Sequence, residues 1–80
     1  MAVLVPNTRD VVAATNRTRS ATGLSDWGDV VRDLVTTLEC GWEDAEAAIH
    51  VAMHEGDVRE LASGLLKVPD AARGRAGGGA

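Results

Sequence analysis

Two histidines, one cysteine and two tryptophans carry most of the chemical latitude of this 80-residue chain. His50 and His54 stand four apart in a segment of helical periodicity, with Glu46 one turn earlier. All three can share one side of a helix and offer nitrogen and oxygen donors to a zinc ion. The zinc-protease spacing His-Glu-x-x-His is absent, because Glu55 follows the second histidine. A solvent-facing Glu46–His50 contact at i, i+4 accounts for the same residues, so no metal site is expected. Cys40 has no basic neighbour in sequence and ends an apolar stripe. A helix C-terminus raises a thiol's pKa, which makes Cys40 a packed thiol rather than a nucleophile. No Ser-His-Asp order and no glycine-rich phosphate loop after a strand occurs, and Gly77-Gly78-Gly79 reads as a tail. The expectation is a non-enzymatic protein without a cofactor.

The elements that hold these residues follow from apolar spacing. Trp27, Val30, Val31, Leu34, Val35 and Leu38 recur at three and four, predicting a helix from about Asp26 to Glu39. Ser25 or Asp26 can cap its start, and Gly41 can end it in the left-handed conformation. A second helix is predicted from Glu43 to His54, with Ala45, Ala48, Ile49, Ala52 and Met53 inward and Gly56 as its stop. Glu43, Asp44 and Glu46 suit the positive end of its dipole. A third is predicted from Asp57 through Val58, Leu61, Ala62 and Leu65, weakened by Gly64 and ended by Pro69. Short connections imply a compact, all-α three-helix bundle. The expected division is an N-terminal arm or linker over 1–25, the bundle over 26–68 and a disordered tail over 69–80. Within the arm, Asn7 and Asp10 can start a short extra helix through Val11, Val12 and Thr15. That helix would be weak, because of its β-branched residues and Asn16.

Within that bundle, Cys40-Gly41-Trp42, then Ala47 and Val51, then Gly56-Asp57-Val58, then Leu61, Ala62 and Leu65 resemble the ubiquitin-associated (UBA-like) domain. That family carries Met-Gly-aromatic in its first loop, and Cys40 stands here for the methionine. The resemblance covers residues 26–67 and implies a protein-binding module. Its contact surface would be the first loop and the end of helix three: Gly41 and Trp42 with Leu65 and Leu66. Glu43 and Asp44 would form the rim. Tryptophan is a frequent binding hot spot.

Charge and composition add further expectations. The net charge is −4, from 8 Lys+Arg and 12 Asp+Glu. Residues 26–66 hold ten acids against Arg32 and Arg59, whereas residues 1–25 hold Arg9, Arg17 and Arg19 against Asp10 alone. Binding of an unidentified protein partner is therefore the first expectation. The alternative is a small DNA-associated regulator, of antitoxin or phage-repressor type, using Arg9, Arg17 and Arg19 as a basic arm. A helix-turn-helix across Gly56 fails on charge, since the would-be reading helix has only Arg59 before Lys67. No apolar run is long enough for a signal peptide or a bilayer span. With a single cysteine, a cytoplasmic protein is expected. The arginine and alanine bias suggests a bacterial or phage genome. A thin, alanine-rich core also permits a homodimer.

Overall fold

The computed structural model describes residues 6–61 and 64–69. It contains helices α1 (Thr8–Thr18), α2 (Trp27–Leu38) and α3 (Trp42–Glu55). It also contains short strands β1 (Ser25–Asp26), β2 (Arg59–Leu61) and β3 (Leu65–Lys67). The strands form one antiparallel sheet in the order β1-β3-β2, with Ser25 opposite Leu66 and Glu60 opposite Leu66 on the other side.

α1 is a part of the core and not an arm. Asn7 accepts from the Asp10 amide, and the Asp10 carboxylate accepts from the Asn7 amide, both at 2.9 Å. This reciprocal capping satisfies two of the donors that a helix start leaves free. Val11, Val12, Ala14 and Thr15 are all buried. The β-branched residues that weaken the segment in isolation are the ones packed, so burial outweighs propensity. Thr15 and Thr18 return their hydroxyls to the carbonyls of Val11 and Ala14. The boundary at residue 25 therefore cuts through one core.

α2 begins as expected, with the Asp26 carboxylate accepting from the Gly28 amide at 3.0 Å. It ends differently. The left-handed residue is Glu39, at φ 54°. Gly41 is extended and caps α3 instead. Val30, Val31 and Leu34 are buried, with Trp27, Val35 and Leu38 packed beside them. α3 presents the expected inner face of Ala45, Ala48, Ile49 and Ala52, and Gly56 closes it at φ 83°. Its amide donates to the carbonyl of Met53.

The predicted third helix is two strands. Val58, Leu61 and Leu65 fit helical spacing, but so short a run also fits a period of two. In the fold, Leu66 and Val68 point inward and Lys67 outward. Gly64 sits at φ 74°, which a helix interior does not allow. What decides between the periods lies forty residues away in sequence. Ser25–Asp26 offers β3 a strand partner, and the Ser25 hydroxyl, itself buried, donates to the Thr15 carbonyl at 2.5 Å. The architecture is three helices and a small sheet, not an all-α bundle. The tail expected from 70 onward lies outside the described residues.

Candidate functional site

The first-loop residues of the expected contact surface stay together, at the start of α3. Gly41 is its N-cap and Trp42 its first residue. Trp42 is 47% exposed, while Ala45 and Ile49, one and two turns on, are fully buried and fix the helix beneath it. Glu43 is exposed and Asp44 half-buried. The Asp44 carboxylate folds back over the cap, so that a Cβ on Gly41 would lie 3.3 Å from it. Glycine leaves that room, and the carboxylate meets the positive end of the α3 dipole.

The other half of the expected surface is elsewhere. Leu66 is fully buried beneath the sheet and cannot contact a partner. Leu65 is half-buried and pairs with Asp26, just before α2. Trp42 lies beyond the far end of α2, a helix of 12 residues and so about 18 Å long. The ubiquitin-associated arrangement depends on a third helix to unite these residues, and here a strand takes its place.

The basic arm is not assembled either. Arg17 donates to Asp33 of α2 through Nε (3.2 Å) and Nη2 (2.5 Å), tying α1 to α2. The hydrogen bond to the Asp33 carboxylate, reinforced by its charge, raises the guanidinium pKa further. Arg9 and Arg19 are exposed, at opposite ends of α1.

The structure also gathers a cluster that sequence reading missed. The indole N–H of Trp27 donates to the Glu46 carboxylate at 3.2 Å. The Trp27 ring lies against His50, with centroids 5.2 Å apart and planes tilted by 58°. Trp27 thus binds α2 to α3, and its Cβ lies 3.9 Å from the position a Cβ on Gly64 would take. Glu46 and His50 were legible as helix neighbours, but nothing local to Trp27 marks it as their partner. Among the described residues, no group of three or more His, Cys, Asp or Glu side chains could hold a metal ion. Cys40 is buried, its thiol 3.6 Å from the Leu34 carbonyl. Burial, with Asp44 and Asp10 nearby, pushes its pKa up.

α2 and α3, joined by the short turn Glu39–Gly41, have the chain order of a helix-turn-helix. In such a pair the second helix enters the DNA groove. Here that helix is α3, which carries Glu43, Asp44, Glu46 and Glu55 and no Lys or Arg. Phosphate neutralisation has no carrier on it. No described helix is long and apolar enough to cross a membrane. No protein-family model, curated protein or solved structure matches the chain.

Proposed function

We propose that this protein is a non-enzymatic docking module that meets a partner protein at the α2–α3 corner. Trp42 is the anchor, with Gly41, Glu43 and Asp44 around it. The observation that carries this reading is the exposure of Trp42, 47%, on a helix start held rigid by buried neighbours. Burying an exposed indole against a partner is favourable, and a rigid anchor loses little entropy in doing so. Leu65 and Leu66 drop out of the contact surface. The strand in place of a third helix leaves Trp42 where it was expected, at the start of α3.

The test compares wild type with Trp42→Ala as bait in extracts of the native host, with circular dichroism run in parallel. The substitution should leave helicity intact and cost about 1–2 kcal/mol, because about half of the indole is covered in the fold. It should also remove the bound partner. An unfolded variant, or partners retained at full occupancy, would refute the proposal. The DNA-associated reading predicts retention on DNA at low salt that is lost steeply as salt rises. The docking reading predicts no retention.

A further inference from the structure

The fold leaves its two tryptophans in opposite situations. Trp27 is half-buried, gives its N–H to Glu46 and sets its ring against His50. Trp42 is exposed, and among the described residues its indole N–H has no acceptor and its ring no aromatic partner. Side chains on a helix lean toward its N-terminus, so Trp42, the first residue of α3, leans toward the Glu39–Gly41 turn.

That turn is negative. Glu39 and Glu43 are exposed, and the Asp44 carboxylate lies over the Gly41 cap. The negative end of the α2 dipole and the positive end of the α3 dipole meet here, each about half a charge, and oppose one another. The three carboxylates therefore set the local charge. Nothing nearby offsets them. The ion pairs among the described residues are Arg17–Asp33 and Arg32–Asp29, and no Lys or Arg stands between Arg32 and Arg59 in the sequence.

These charges select what can cover the indole. A purely apolar partner surface would strip water from Glu39 and Glu43 and leave both unpaired, at a cost that opposes binding. A cation removes that cost and is attracted by the negative face of the indole ring. Lysine brings a compact point charge. Arginine brings a flat guanidinium that stacks on the ring while the N–H groups along its edge stay free for carboxylates.

We propose that the partner residue seated on Trp42 is an arginine, carried on an exposed segment of the partner protein. Its guanidinium stacks on the indole, and its N–H groups donate to the carboxylates of Glu39 and Glu43. The proposal rests on the docking reading above and names the chemistry of its partner.

The experiment titrates the isotope-labelled full chain with a short glycine-flanked peptide holding two arginines. Matched peptides carry lysine, or citrulline, which keeps the shape of arginine without its charge. With the arginine peptide, the Trp42 indole N–H and the amides of Gly41 and Glu43 should shift, while the Trp27 indole N–H stays in place. The citrulline peptide should bind at least about tenfold more weakly, and the lysine peptide about threefold. Trp42→Leu, which keeps apolar area but removes the ring, should weaken arginine binding by about tenfold. The double variant Glu39→Gln, Glu43→Gln should do the same with unchanged circular dichroism, since both positions are exposed. Equal binding of the arginine and citrulline peptides, full binding by the double variant, or no binding at millimolar peptide would overturn the proposal. The two readings fail separately in extracts of the host. A partner lost from Trp42→Ala but kept by the double variant removes the arginine and leaves the docking surface, whereas a partner kept by both removes the docking surface as well.

Discussion

Glu39 is the residue whose backbone is most at odds with its side chain. It takes the left-handed conformation at φ 54°, where an L-residue with a Cβ is disfavoured. Its carboxylate also stands at the negative end of the α2 dipole. Glu39→Gly removes both penalties and should stabilise the protein by about 1 kcal/mol, read from the urea midpoint at constant m. An unchanged midpoint would show that the left-handed geometry costs nothing here. Cys40 makes a second prediction at this scale. Burial raises its pKa in the folded state above its unfolded value. A group raised on folding contributes stability that is complete below its unfolded pKa and lost as pH climbs through the folded one. Stability should therefore fall more steeply above about pH 8.5 in wild type than in Cys40→Ala. Equal slopes over that range would mean that the thiol ionises in the fold as it does in solution.

Among the elements, the helices were legible where several sequence signals agreed. α2 showed a capping Asp26 and a stripe of Trp27, Val30, Val31 and Leu34. α3 showed an inward face of Ala45, Ala48, Ile49, Ala52 and Met53 and a stop at Gly56. The hairpin was not legible, because Val58-to-Lys67 is too short for either period to exclude the other. Gly64, a defect in a predicted helix, is a positive-φ residue beside β3. A Cβ there meets only ordinary contact, 3.9 Å from that of Trp27. The cost of Gly64→Ala is thus backbone strain, about 1–2 kcal/mol. If the segment were helical, the same change would stabilise by about 1 kcal/mol. The sign of the shift in thermal midpoint separates the two structures.

At the scale of the whole molecule, α1 is what makes an 80-residue chain with no disulfide able to close a core. Its Val11, Val12 and Ala14 pack with Val30, Leu34, Ala48 and Ile49 in one buried cluster. The Ser25–Thr15 hydrogen bond ties α1 to β1, and the Arg17–Asp33 pair ties it to α2. A chain shortened to begin at residue 19 would expose those α2 and α3 faces to water. It should lose its cooperative thermal transition and bind a hydrophobic dye. If residues 26–68 form an independent bundle, the shortened chain keeps a sharp transition.

Local sequence determined where helices begin and end around Asn7, Asp26 and Gly56, and which faces of α2 and α3 are apolar. It also left α3 with carboxylates and no Lys or Arg. Those properties reside within a few turns of one segment, and chain order alone expresses them. Tertiary structure decided the rest. It made Arg59–Leu61 and Leu65–Lys67 strands, with Ser25–Asp26 brought alongside β3. It buried Leu66, left Trp42 exposed, and set Trp27 against Glu46 and His50. Each of these depends on a partner distant in sequence, so its energy enters only when the chain has closed on itself.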